Sequence, residues 1–154
     1  MALRNLIRKF SGAFGWAEVE RMPYKEEGSA PFKAISRQVL FADPVFKCEL
    51  RYFEMEPGGY STLERHEHAH AVMILRGRGL CLLDTEVRPV ASHDLVTIAP
   101  MTWHQFRASE GEPLGFLCMV NAERDRPLLP SEHELKRLRA MPEIAAFLEG
   151  RSAP

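Results

Sequence analysis

Histidine side chains concentrate in one short part of this sequence. Three of the six histidines stand at positions 66, 68 and 70, and the carboxylate of Glu64 lies two residues before the first of them. A fourth histidine, His104, follows in the segment PMTWHQF. Imidazole and carboxylate groups are ligands that divalent transition metals commonly take from proteins. The residue types and their spacing therefore predict a metal site.

Two local structures would bring different side chains of this stretch together. Residues 66–70 read HEHAH and match H-E-x-x-H, which on a helix gives a zinc peptidase site with Glu67 as general base. That alternative requires a helix over residues 62–75. On strands, Glu64 and His66 point to the same face because side chains alternate. The preceding turn PGG (57–59) and the short apolar run VMIL (72–75) favour strands.

The strand interpretation resembles the first metal motif of the cupin superfamily. That motif is a glycine, five residues, His-x-His, three or four residues, a glutamate, six residues and a glycine. Here five residues separate Gly58 from Glu64-Arg65-His66, three more precede His70, and six more precede Gly77. The spacing agrees throughout, whereas the glutamate and one histidine have exchanged places.

The second cupin motif resembles residues 93–108, with His104 at the position of the metal-binding histidine. The glycine, proline, glycine and asparagine positions of that motif are occupied by other residues: His93, Ala99, Met101 and Ala108. The resemblance implies one divalent transition metal per chain (Fe, Mn, Zn, Ni or Cu). The ligands that it implies are Glu64, His66, His70 and His104.

The histidines at 68 and 93 are left over from that ligand set. We interpret His68 as an imidazole beside the site, with the alternative that it replaces Glu64 as a ligand. His93 is expected to be solvated.

The rest of the chain predicts an all-β protein with a short helical end. About eight short apolar runs separated by turn residues, without alternating helices, are typical of a β-sandwich or barrel. The cupin resemblance implies the double-stranded β-helix, or jelly-roll, version of this class. We expect an N-terminal extension over residues 1–34, the barrel over 35–121 and a helical tail over 122–154. Residues 1–15 are predicted to form a weakly amphipathic helix.

Two helices are predicted in the tail. Ser131 and Glu134 form a capping box, which starts a helix that ends near Arg139. Pro142 then suits the first turn of a second short helix. Its apolar residues require burial on the outside of the barrel or on a second subunit, and we expect a homodimer.

A small organic substrate is expected in the barrel, next to the metal. Alternation along the predicted strands gives an apolar lining, which is typical of small-molecule pockets. The residues predicted to line it are Tyr52, Val72, Ile74, Phe106 and Cys118.

Composition excludes several other classes of protein. The net charge of −1 gives no electrostatic basis for binding nucleic acid or an anionic membrane. No apolar run is long enough to cross a membrane, and residues 1–16 lack the apolar region of a signal peptide. The three cysteines are widely spaced and odd in number, so we expect reduced thiols in a cytoplasmic protein.

By resemblance, a metal-dependent enzyme with dioxygenase-like or other oxygenase chemistry comes first, with isomerase or lyase chemistry behind it. The alternative is a non-catalytic module that binds or senses a small ligand through the metal. The zinc peptidase is the third hypothesis.

Overall fold

The computed structural model describes residues 5–151 and shows an all-β jelly roll followed by two short helices. The strands are β1 (Phe10–Gly12), β2 (Gly15–Trp16), β3 (Met22–Pro23), β4 (Lys33–Asp43), β5 (Cys48–Tyr60), β6 (His70–Leu83), β7 (Glu86–Ala91), β8 (Leu95–Ile98), β9 (His104–Ala108) and β10 (Leu114–Asn121). The helices are α1 (Glu132–Arg139) and α2 (Pro142–Leu148). Neither described helix has the length and apolar character needed to span a membrane.

The two longest strands close the barrel. The first part of β6 pairs with β10 and β8, and its second part pairs with β9 and β7. Strand β5 pairs with β4 and β10 along most of its length and meets β9 at Tyr60. Since β5 and β6 both contact β9 and β10, their inner faces enclose one interior.

Strand β6 bends at two glycines, Gly77 and Gly79, in a segment whose sequence RGRG (76–79) is typical of a turn or a bulge. Gly77 has a φ of +76°, and a Cβ atom there would lie 1.7 Å from the carbonyl oxygen of Pro113. A Cβ atom on Gly79 would lie 2.2 Å from the carbonyl oxygen of Arg107. Only glycine fits both the backbone conformation and these close approaches. The chain therefore stays hydrogen-bonded through the bend instead of reversing there.

Apolar side chains form two clusters, one inside the barrel and one on its outer face. The inner cluster includes Phe53, Ile74 and Phe116. The outer cluster joins Leu82 and Trp103 of the barrel to the helical tail. Its helical members are Leu138, Ile144 and Phe147. The helices thus cover the barrel of their own chain.

The structure confirms the two helix starts that were predicted in the tail. Ser131 caps α1, where its hydroxyl accepts from the backbone N–H of Glu134, and the Glu134 carboxylate accepts from the backbone N–H of Ser131. Pro142 is the first residue of α2. Both helix starts agree with the capping box and the proline preference.

The predicted N-terminal helix is wrong over residues 5–15, and the helix that the zinc peptidase alternative requires over residues 62–75 is not formed either. Within the described residues 5–15 the chain forms β1 and β2, with no helix, because Phe10 and Phe14 pack against Trp16 and Tyr52. Residues 1–4 of that prediction lie outside the described residues. Residues 62–75 contain a β-bridge at Glu64 and the start of β6, so the helix that a zinc peptidase requires is absent there. The three-part division of the chain stays a prediction.

Candidate metal centre and its cavity

Three histidines from two strands and one loop meet inside the barrel. His70 begins β6, His104 begins β9, and His66 lies in the segment that leads to β6. One nitrogen from each ring lies within 4.8 Å of the other two, and the Nε2 atoms of His66 and His70 are 2.9 Å apart. This spacing allows all three rings to bind a single metal ion. His66, His70 and His104 are three of the four residues that the cupin resemblance implies as ligands, and their role as metal ligands stays a prediction.

The other ring nitrogens have partners that fix two of the imidazoles. Nδ1 of His66 lies 2.8 Å from the carbonyl oxygen of His68, and Nδ1 of His104 lies 2.9 Å from that of Thr102. A carbonyl accepts from an Nδ1–H group, which leaves the lone pair on Nε2 available to a metal. Nδ1 of His70 instead lies 3.0 Å from Sγ of Cys118.

The environment of the triad keeps its rings neutral. Burial, together with the nearby His104 and His68 rings, lowers the pKa of His66 to about 4. Burial and the neighbouring His104 and His66 rings lower the pKa of His70 to about 2. Burial also lowers the pKa of His104. Neutral imidazoles are the form that binds metal ions, so the donor set fits a divalent transition metal.

Glu64 lies on the wall of the same cavity but outside the group of three nitrogens. It is 7% exposed, and its backbone exchanges two hydrogen bonds with His104, of 3.2 and 3.0 Å. Its carboxylate pairs with the ammonium group of Lys25. Among the described residues, the group of ligand atoms within 4.8 Å of one another that contains His66, His70 and His104 does not include Glu64. A role for Glu64 as the fourth ligand stays a prediction.

His68 forms a second polar cluster next to the triad. Its ring stacks on that of His66 with centroids 3.6 Å apart, and its Nδ1 lies 2.6 Å from Oδ1 of Asp125. The Asp125 carboxylate also accepts from the backbone N–H groups of Glu67 and His68, and these donors hold its pKa well below the usual range. His66, His68 and Asp125 form another group with metal-ligand spacing. Asp125 carried no sequence signal, because only folding brings it next to position 68.

The cavity around the triad contains three of the five predicted lining residues. Val72, Phe106 and Cys118 lie on its wall. Ile74 is buried in the inner core, away from the cavity surface. Tyr52 faces the opposite side of β5, where it contacts Phe14 and Trp16 and its hydroxyl donates to Glu54.

Sequence reasoning missed most of the polar residues of the cavity. Those on its wall include Tyr24, Lys25, Arg37, Arg51 and Arg124. Arg51 was missed because Tyr52 was assigned to the inner face of β5, which puts its neighbour Arg51 on the outer face. Burial raises the pKa of the Tyr24 hydroxyl, so that group stays protonated and can donate a hydrogen bond at neutral pH.

Comparison with known proteins defines the family. A model of the cupin domain family matches residues 51–120. A crystal structure of a cupin-2 domain from Rhodospirillum rubrum is 57% identical, covers 94% of this chain and 97% of its own, and has a TM-score of 0.84. The crystal structure of a cupin 2 conserved barrel domain protein from Rhodopseudomonas palustris is 56% identical and has a TM-score of 0.87. The match covers 92% of this chain and 98% of the other. The chain belongs to the cupin superfamily.

A named relative lies within the same range of similarity. It is 1-methylthio-D-xylulose 5-phosphate methylsulfurylase from Rhodospirillum rubrum, and it is 58% identical over 144 residues. The alignment covers 94% of this chain and 92% of the relative. The likeness therefore includes the N-terminal strands and the helical tail as well as the barrel.

Proposed function

We propose that this protein is a metal-dependent methylsulfurylase that acts on 1-methylthio-D-xylulose 5-phosphate. The relative with that name is similar along nearly the whole chain. The structural observation that carries the proposal is the thiol of Cys118, whose Sγ lies 3.0 Å from Nδ1 of His70. A sulfur acceptor thus lies directly beside the candidate metal centre.

The chemistry of this substrate suits the cavity. Its name places a methylthio group on C1, a ketone on the neighbouring C2 and a phosphate on C5. A divalent ion bound by His66, His70 and His104 would supply a Lewis acid that polarises carbonyl oxygens. Breaking the C1–S bond with the electron pair left on C1 is favoured by the adjacent carbonyl, which accepts the charge as an enolate.

Cys118 is positioned to accept the methylthio group. In this step its Sγ forms a bond to the methylthio sulfur and the C1–S bond breaks. The thiol loses one proton and C1 takes up one, so the step is balanced. The products are a 1-deoxy ketose phosphate and a methyl disulfide on Cys118, which a soluble thiol must then reduce.

Arg51 and His70 lie next to the Cys118 sulfur and affect whether it carries a negative charge. Burial raises the pKa of the Cys118 thiol, and Arg51, with Nη2 3.7 Å from the sulfur, acts in the opposite direction. Arg51 and the N–H of His70 can both stabilise a thiolate as it forms.

The test follows the fate of the methylthio group. Metal-loaded protein is mixed with stoichiometric substrate in the absence of added thiol, and intact-protein mass spectrometry is used to detect one added methylthio group. We expect Cys118→Ser to abolish the adduct, whereas Cys48→Ser, a half-buried thiol outside the cavity wall, keeps it. Unchanged substrate in the wild-type reaction, with and without a soluble thiol, would overturn the proposed function.

Oxygenase chemistry and simple ligand binding give different results in the same reaction. An oxygenase would consume dioxygen with the substrate, and a binding module would leave the substrate unchanged. Homodimer formation and a cytoplasmic location also stay predictions.

A further inference from the structure

Two arginines lie side by side on the inner wall of the barrel. Arg37 of β4 pairs with Phe53 of β5, and Arg51 lies two residues before Phe53 on that strand. Residues in this diagonal relationship on neighbouring strands point to the same face. Both side chains line the cavity that contains the histidine triad.

These two guanidinium groups differ from the other cations of the cavity in having no acidic partner in the described part of the chain. Lys25 pairs with Glu64, and Arg124 pairs with Glu49 at 2.8 Å. Within residues 5–151, no carboxylate oxygen lies within 4 Å of a nitrogen of Arg37 or Arg51. The buried Nε atoms of both side chains also lack a hydrogen-bond partner there.

An arginine in this situation is costly unless an anion completes its surroundings. Arg51 is only 8% exposed, and its described polar contact is the weak one to the Cys118 sulfur. A buried charge without a counter-ion or full hydrogen bonding destabilises the fold. The ring of Phe53, with its centroid 5.0 Å from Cζ of Arg51, holds the guanidinium plane in place. The site is thus preorganised for a ligand that brings negative charge.

The pair also lies at a useful position relative to the triad and the solvent. Arg51 of β5 is in register with Cys118 of the neighbouring strand β10, and Cys118 lies next to His70. Arg37 lines both the metal cavity and the wider groove formed with residues 22–32. An extended ligand can therefore have its anionic end at the arginines while its other end reaches the imidazoles.

We propose that Arg37 and Arg51 form the subsite that binds the phosphate group of the substrate. Two guanidinium groups on one cavity wall match the charge and the several acceptor oxygens of a phosphate monoester better than they match one carboxylate. The assignment of the phosphate to a ketose rests on the proposed function. An anion at these two side chains is favoured by the burial of Arg51, by the buried Nε of half-buried Arg37 and by the lack of acidic partners for both within residues 5–151.

The test compares a phosphorylated sugar with its unphosphorylated counterpart. Calorimetry on metal-loaded protein measures the binding of D-xylulose 5-phosphate, D-xylulose and inorganic phosphate to the wild type, Arg37→Gln, Arg51→Gln and the double variant. Arg88→Gln is the matched control, because Arg88 is exposed, pairs with Glu86 and lies outside the cavity. Circular dichroism and metal content establish that each variant is folded and loaded, and Arg37→Lys with Arg51→Lys provide charge-conserving alternatives.

We expect each glutamine substitution to weaken D-xylulose 5-phosphate binding by about tenfold or more, as for loss of a charged hydrogen-bond donor. Binding of D-xylulose should change by less than about twofold, and the control should match the wild type. Wild-type protein that does not prefer the phosphorylated sugar would overturn the subsite. The same conclusion follows if the double variant keeps the preference for D-xylulose 5-phosphate.

The outcomes separate this subsite from the proposed function. Arginine-dependent binding of the phosphorylated sugar without methylthio transfer would refute the function and support the subsite. Methylthio transfer by the wild type, combined with unchanged affinity for D-xylulose 5-phosphate in Arg37→Gln and Arg51→Gln, would support the function and refute the subsite. If Arg51 served only to stabilise the Cys118 thiolate, Arg51→Gln would slow transfer while leaving phosphate binding unchanged, which would remove Arg51 from the subsite.

Discussion

The Nε2 atoms of His66 and His70 lie 2.9 Å apart, with His104 close to both. Burial keeps these rings neutral, so their lone pairs can converge on a cation. The relationship joins a loop residue to the first residue of β6 and makes the triad the centre of the cavity.

Loss of one triad imidazole should remove the metal. We expect His66→Ala and His104→Ala to lower metal affinity by about 100-fold or more, because ligand loss exceeds the 10- to 100-fold effect of removing an outer partner. Elemental analysis of protein purified without an affinity tag measures metal per chain. His133→Ala, an exposed position on α1, is the control and should retain the wild-type content. Full metal content in either triad variant would contradict the assignment.

Substitution of Glu64 tests whether a carboxylate joins the three imidazoles. If it does, Glu64→Gln should weaken metal binding by about tenfold or more, measured by competition with a chelator. Lys25→Met is the informative partner variant, because it removes the cation that pairs with the carboxylate. That variant should bind metal at least as tightly as the wild type. Unchanged affinity in Glu64→Gln would remove Glu64 from the ligand set.

The stability of the metal-free protein should fall as the solution becomes acidic. The lowered pKa values of His66 and His70 mean that these rings stay neutral when folded, while unfolded chains take up protons below pH 6.5. Stability is therefore fully present above pH 6.5 and is lost as the pH falls towards 4. One such ring costs about 2 kcal/mol between pH 7 and pH 5.

Urea unfolding of the metal-free protein at several pH values measures this loss. The His66→Gln/His70→Gln variant should show a smaller pH dependence over the same interval. Equal slopes for the two proteins would contradict burial of neutral imidazoles.

Gly77 should be among the most sensitive positions of the barrel. Gly77→Ala would place a Cβ atom 1.7 Å from the Pro113 carbonyl oxygen at a positive φ, so we expect a loss of about 3 kcal/mol or more, or failure to fold. Gly111→Ala is the control, since a Cβ atom there meets nothing within 4 Å. Chemical denaturation measures both. Similar stability in the two variants would show that β6 does not need its bend at Gly77.

The helical tail and the histidine cluster were predictable because their signals are local. A capping box and a proline mark the helix starts within a few residues. The positions of His66, His70 and His104 follow a spacing that resembles a known motif, and the strands of this fold turn that spacing into proximity. Local patterns of this kind need little knowledge of distant contacts.

The cavity wall required the tertiary structure. Along β5, Arg51, Tyr52 and Phe53 are all buried, because β1 and β2 cover one face while the barrel interior covers the other. Alternation distinguishes two faces but cannot show which is inward when both are covered. Tyr52 was for this reason assigned to the cavity that Arg51 and Phe53 line.

By itself, the sequence determined a β-barrel with a histidine cluster of metal-ligand spacing and a capped helical tail. The tertiary structure decided which charged groups surround that cluster. Lys25 reaches Glu64 and Asp125 reaches His68 across long stretches of chain, and strand register puts Arg37 and Arg51 on the same cavity wall. Such partnerships depend on how strands pair and loops fold over the barrel mouth, and no local pattern encodes that arrangement.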